Sequence, residues 1–318
     1  VERKASLQGF PYWHEVTLLA LLAGLLGYAS FAAPDFLAPR AQIELSTQVW
    51  EMALLAIPMT LIVITAGIDL SVGSAMALCA VVLGLSYEAG ISPWIGSLFA
   101  LLAGVGAGAL NGVFTAYARV HPLIVTLATY AAYRGIAEGI SLARPISGFP
   151  ESFAVIGRGT ILKLPIPGII FAAAALAAAV VLARTVFGRS IYAIGHNEPA
   201  SRFSGVPVDR IKLLLYTLSG TAAGLAAIMF VSRRDTAKAD VGQGMELDVI
   251  TAVVLGGTSI FGGRGRIIGT ILGILLIHET RQFVSWRWEK DELNLLVIGV
   301  LLIVAVLLNT LLSRRKRL

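Results

Sequence analysis

Apolar residues in this chain come in long, nearly unbroken runs, and the polar residues are confined to short gaps between them. Ten runs fall at roughly 16–33, 49–66, 70–87, 94–114, 123–140, 165–184, 212–232, 246–262, 267–284 and 293–311. Each is close to the ~20 apolar residues with which an α-helix crosses a bilayer. Pro34, Pro39, Pro93, Pro122, Pro145, Pro150, Pro165 and Pro167 stand in the gaps, where helices stop and start. The expected fold class is all-α: a polytopic transmembrane helical bundle of about ten spans, forming one domain over residues 1–318. The first run is followed by Pro34-Asp35-Phe36 and not by a small-residue cleavage site, so it reads as a retained span.

An even number of spans puts both ends of the chain on one face. Arg3 and Lys4 at one end and Arg314-Arg315-Lys316-Arg317 at the other make that face the cytoplasmic one. Of the 25 basic residues, this orientation places fourteen in cytoplasmic segments and ten outside, with Arg134 left within a span. Both termini are therefore expected in the cytoplasm, and the 184–212 loop and the tail weigh most in that assignment.

Composition agrees and narrows the chemistry. The chain is 57% hydrophobic and 14% charged, with a mean hydropathy of +0.81, against about 25% charged residues in soluble domains. Little is left for a soluble domain. The single cysteine, Cys79, excludes an internal disulfide and a cysteine-only metal site. No glycine precedes a lysine, so the chain has no phosphate-binding P-loop. His14, His121, His196 and His278 are far apart and lack metal-ligand spacing. No catalytic set, cofactor or metal is expected.

Two glycine breaks interrupt the runs. Gly67-Ile68-Asp69-Leu70-Ser71 divides what would otherwise be one stretch from 49 to 87. Gly67 weakens the helix there, and Asp69 or Ser71 is placed to cap the next one, where the helix dipole also favours a carboxylate. An ionisable group at such a position also suits a gate or a subunit contact. Gly256-Gly257-Thr258-Ser259 falls inside the run 246–262. Backbone unwound at that depth is tolerated where it is buried in protein or lines a wet cavity.

Thr258 and Ser259 would then offer hydroxyls to a polyol, as would Thr126, Thr129, Tyr130 and Tyr133 in the run 123–140 and Asn111 in the run before it. Such hydroxyls also bond to their own helix backbone. Arg134 needs a partner or water, and Glu138 at i+4 is the expected partner. The run 123–140 is thus the expected pathway helix. Gly104, Gly108 and Gly112, Gly220 and Gly224, and Gly265, Gly269 and Gly273 repeat every fourth residue, the spacing that brings membrane helices into close contact.

The longest cytoplasmic gap runs from about 185 to 211. Asn197 is expected to cap a short helix opening at Glu198-Pro199, and Gly205 to end it. That helix would lie outside the bilayer and display Arg202 and Phe203.

The stretch from Val253 to Arg266, with Ala66 to Ser74 upstream, resembles the membrane subunit of bacterial ABC importers for ribose and other simple sugars, and the resemblance spans nearly the whole chain. It implies a permease of the inner membrane, working with a second permease chain (identical or homologous), two ABC ATPase subunits, a periplasmic sugar-binding protein and the surrounding lipid, with no nucleic-acid partner. It also implies that 185–211 carries the helix coupling the permease to its ATPase: Gly195, Asn197, Ala200 and Gly205 match the family's pattern, and Glu198, Arg202 and Phe203 on the same short helix are expected to share the contact. His196 and Ser201 depart from the family pattern. The competing function is a secondary transporter driven by an ion gradient, for which Glu51 and Glu138 are the candidate carboxylates within spans. The sugar is left open among ribose, xylose, arabinose, rhamnose and autoinducer-2.

Overall fold

The computed structural model describes residues 12–47 and 49–288, together with five single positions from Leu293 to Ile303. The basic arm, the basic tail and most of the tenth run lie outside the described residues. Each of the first nine runs carries a helix: α1 (Trp13–Ala32), α3 (Trp50–Ile64), α4 (Val72–Glu88), α5 (Pro93–Ala116), α6 (Pro122–Ser141), α8 (Ile166–Arg184), α11 (Val208–Arg234), α12 (Met245–Leu255) and α13 (Ile267–Trp288). Short helices α2 (Pro39–Ser46), α7 (Val155–Arg158), α9 (Val186–His196) and α10 (Glu198–Phe203) lie in the gaps. Proline opens α2, α5 and α6, where its missing N–H leaves no backbone bond unmade.

Five of these helices are long and apolar enough to cross a membrane, and α3 and α4 are shorter apolar helices. Every residue of α3 from Glu51 to Ile64 is buried, so α3 is the axis around which the others pack. The glycine repeats are contact surfaces. A methyl group at Gly104 or Gly108 of α5 would collide with the carbonyl of Gly220 or Tyr216 of α11, and one at Gly220 with that of Gly104. Gly269 and Gly273 of α13 press in the same way on Gly256 and Ala252. Where lipid supplies no hydrophobic drive between helices, such backbone proximity is what holds them together.

Helix ends gather into two faces. One face holds the start of α1, the end of α3, α9, α10, the start of α11 and the loop 256–266; His14 Nε2 donates to the Leu255 carbonyl there at 2.9 Å. The opposite face holds the segments around 33–49, 142–165 and 234–237. Strands β1 (Ile146–Ser147) and β4 (Thr236–Ala237) pair antiparallel on it, and β2 (Thr160–Ile161) and β3 (Leu164–Pro165) form a small hairpin. Arg233 donates to Glu51 at 2.8 Å, tying the end of α11 to the start of α3.

The run 246–262 departs from expectation. Helix α12 has 11 residues, about 16 Å at 1.5 Å per residue, roughly half the ~30 Å hydrocarbon core. The chain reaches it by a non-helical descent. Ala237 packs beside Gly84 of α4, and Gly242 packs beside Gly73, a point about 16 Å further along the same helix. The expected span is therefore a broken one, crossed first in the non-helical backbone of residues 237–244 and then in a half-helix.

Candidate functional site

Three groups of residues stand out, beginning with the loop 185–211. Thr185 caps α9 by accepting from the Gly188 amide at 3.0 Å. Asn197 caps α10 by accepting from the Ala200 amide at 2.9 Å. The chain leaves α10 through Gly205, whose φ of +81° suits glycine. Arg202 donates to Glu198 at 2.9 Å and to Asp209 at 2.5 Å, and Lys212 donates to Glu198 at 2.6 Å. These four charges fasten α10 to the first turns of α11. Burial alone would raise the Glu198 carboxyl, but the hydrogen bonds from Lys212 and Arg202 outweigh it and hold it below the ordinary glutamate range. The bond to Asp209 raises the Arg202 guanidinium further. Phe203 projects with 95% of its surface exposed.

At the end of α9, Gly195 is wedged against the Ile64 carbonyl and the Gly263 amide, and a methyl group there would collide with both. Gly263 itself donates to Ile64 O at 2.8 Å, and Tyr192 of α9 donates to Gly265 O at 2.8 Å. One short helix thus touches the loops that end both α3 and α12.

The second group is the break after α3. Its left-handed turn falls on Ala66, with φ +61°, and not on Gly67. Gly67 is needed instead because the Tyr216 hydroxyl and Ile62 lie against it. Asp69 Oδ1 accepts from the amide (3.0 Å) and hydroxyl (2.7 Å) of Ser71, and Oδ2 accepts from Ser219 of α11 at 2.7 Å. Ser71 Oγ accepts from Asn111 of α5 at 2.8 Å. Tyr133 of α6 donates to Ala107 O at 2.8 Å, beside Asn111. Thr126 of α6 donates to Ile68 O at 3.3 Å as well as to its own helix at Pro122 O. Thr129 bonds only within its helix, and Tyr130 is half-buried outside this network.

Four helices therefore converge on one buried carboxylate, and every oxygen of Asp69 is satisfied. Ser71 occupies the N-cap position of α4, but its side chain makes no capping bond. The expected cap is in fact a junction.

The third group surrounds the non-helical segment 238–244 that leads into α12. Arg134 does not pair with Glu138: it donates to the carbonyls of Ala239 and Val241, the latter at 3.0 Å. An i+4 pairing loses here because a non-helical segment presents unpaired carbonyls at the depth of the guanidinium, and buried carbonyls require donors. Arg281 of α13 forms a two-pronged ion pair with Asp248 of α12, both bonds 2.8 Å. Lys238 donates to Asp240 at 3.0 Å. A cavity of about 460 Å³ opens between these pairs.

Thr258 and Ser259 lie elsewhere. Thr258 is fully buried against Gly265, and the Ser259 amide donates to Arg264 O at 2.9 Å within the loop 256–266. Gly257 turns that loop with φ +87° against His14. The structure thus gathers Asp69, Ser71, Asn111, Thr126 and Tyr133 but leaves Tyr130, Arg134, Thr258 and Ser259 in other surroundings. Sequence reasoning missed Ser219 and the Asp248–Arg281 pair. The signal for the pair was present, since both charges fall inside apolar runs.

Comparison with known proteins fits a membrane component of this build. Residues 41–306 match the family model described as branched-chain amino acid transport system / permease component. The chain belongs to that family. The permease is 37% identical to the ribose import permease protein RbsC of Bacillus subtilis over 282 residues, 88% of each chain. It is 37% identical to RbsC of Escherichia coli K12 over 297 residues, 92% of each chain. It is 35% identical to the autoinducer 2 import system permease protein LsrD of Yersinia enterocolitica over 301 residues, 93% of this chain and 91% of that one. No solved structure matches it. The permease is a multi-pass helical membrane protein.

Proposed function

We propose that this permease is the transmembrane subunit of an ATP-driven ABC importer that moves a small sugar or sugar-like solute into the cytoplasm. Supporting this reading are the relatives that import ribose and autoinducer 2 and the docking element in the loop 185–211. The observation that carries it is the placement of α9 and α10. Phe203 is presented outward from a helix held by ion pairs, while Gly195 of the preceding helix is seated against Ile64 and Gly263. A push on α10 is transmitted to the ends of both interrupted segments, and the spans respond by opening on one face or the other. ATP binding and hydrolysis belong to separate ATPase subunits docked on that loop.

In this assembly the permease has ten spans with both ends in the cytoplasm of a bacterium and sits in the inner membrane beside a second permease chain. A periplasmic binding protein delivers the solute to the face carrying β1 and β4. Gly67, Asp69, Ser71, Gly256 and Gly257 form the breaks about which the gate moves.

The ion-gradient reading needs a carboxylate in the spans that is free to bind the coupling ion. Glu51 is engaged by Arg233, and Glu138 is exposed on α6. Glu246 and Glu279 each keep one carboxylate oxygen without a hydrogen bond and are where that reading would have to rest. Purification of the permease from its native membranes in mild detergent, with mass spectrometry of what stays bound, tests the proposal. A stoichiometric P-loop ATPase supports it, and a chain that purifies alone argues for the gradient-driven alternative.

A further inference from the structure

The non-helical half of this broken span is the most unusual use of backbone among the described residues. Residues 238–244 are non-helical at the depth of Arg134, which lies about 18 Å along α6 from its first residue. Backbone of this kind inside a membrane is either buried in protein or wet. Ala239 and Val241 are buried and have their carbonyls satisfied by Arg134, whereas Asp240 and Gln243 are exposed. Lipid would not tolerate that second pair. The cavity of about 460 Å³ on this side lies within the ~300–1,000 Å³ typical of small-molecule sites.

Its lining sets the chemistry. Lys238 is paired with Asp240 and Arg281 with Asp248, so the four charges sum to zero. A site with each cation already matched to a carboxylate offers little to an ion. It offers much to a neutral molecule rich in hydroxyl groups, because paired carboxylates still accept and guanidinium still donates. Gln243 adds an amide that does both, and Phe230 forms an apolar wall suited to the C–H face of a ring.

We propose that the loop 238–244, α12 and Arg281 form the surface that contacts a neutral polyol as it crosses the membrane, with Gln243 as the central contact. The residues of α6 facing the Asp69 junction hold the helices in place and do not touch the solute. This assignment rests on the importer reading above.

The sole cysteine, Cys79, is fully buried, so an introduced thiol can be followed alone. The importer carrying Gln243→Cys is purified with its partners, placed in liposomes and treated with a membrane-impermeant, negatively charged thiosulfonate reagent. Residue 243 is expected to react, and the reaction to reduce ATP-driven uptake of radiolabelled D-ribose at least tenfold. Leu247→Cys, one turn along the same wall and 54% exposed, provides an independent position with the same expectation. Leu127→Cys on the outer side of α6, 58% exposed, is expected to react only with a lipid-soluble maleimide.

The proposal is overturned if residues 243 and 247 resist the charged reagent, if they behave like residue 127, or if their modification leaves uptake unchanged. Failure of the importer reading looks different: the unmodified assembly then shows no ATP-driven uptake, while labelling, which needs no substrate, still decides whether the cavity is wet.

Discussion

Gly195 of α9 and Ile64 of α3 are in backbone contact, so close that no side chain fits between them. Through that contact an exposed helix reaches the buried axis of the bundle.

Gly195→Ala is therefore expected to force α9 away from α3. Overpacking of this kind costs about 1–3 kcal/mol, and here it falls on the connection between the docking helix and the core. Uptake should fall more than tenfold while the protein still reaches the membrane. Gly205→Ala serves as the comparison, because open space surrounds Gly205 and only its positive φ is lost. Holding alanine at that left-handed φ should cost about 1–2 kcal/mol, with transport largely kept.

Asp69→Ala would leave Ser219 without its acceptor and cut the Ser71 and Asn111 chain at its centre. Buried polar groups left unpaired cost about 1–3 kcal/mol each. A fall in the thermal unfolding midpoint in detergent, larger than that of Thr129→Ala, is expected. An equal fall for the two would show that the junction has no special weight.

Substituting valine for Gly108 should separate α5 from α11 along their closest line of contact. The expected outcome is loss of folded protein in the membrane fraction, whereas Gly106→Val, which meets nothing within 4 Å, should be tolerated. Similar yields for both would mean that the glycine stripe is incidental.

The charge cluster of α10 gives a pH dependence with a definite sign. The Glu198 carboxyl lies below its ordinary value in the folded chain, so the stabilisation it brings is complete above the ordinary glutamate range and is lost as pH falls through the lowered value. Docking of the ATPase should therefore be flat across neutral pH and weaken only in acid. Glu198→Gln should remove that acid-side loss and lower docking at pH 7, as followed by pull-down of the ATPase.

Arg134→Ala should free two carbonyls of the segment 238–244, and Arg134→Lys should restore part of the pinning, because an ammonium also donates to carbonyls. Protease accessibility of the loop 236–244 is the readout. No change in cleavage for Arg134→Ala would contradict the pinning role.

Much of this was legible in the sequence. Unbroken apolar runs are the strongest signal a helix gives, and the first nine all carry helices. Asn197, Pro199 and Gly205 announced α10 because capping chemistry is local. What the sequence hid was non-local. Asp69 reads as a helix cap until Ser219, 150 residues away, is brought against it. Arg134 reads as half of an i+4 pair until the descent of 237–242 supplies carbonyls. The run 246–262 reads as a span because hydropathy reports burial, and α12 is buried by neighbouring helices without crossing the membrane on its own.

The measurement that bears most directly on the central claim is uptake of radiolabelled sugar by liposomes holding the purified permease with its co-purifying partners. Uptake is expected to require ATP and the binding protein and to persist when ion gradients are collapsed. Uptake by the permease alone, driven by an ion gradient without ATP, would contradict it.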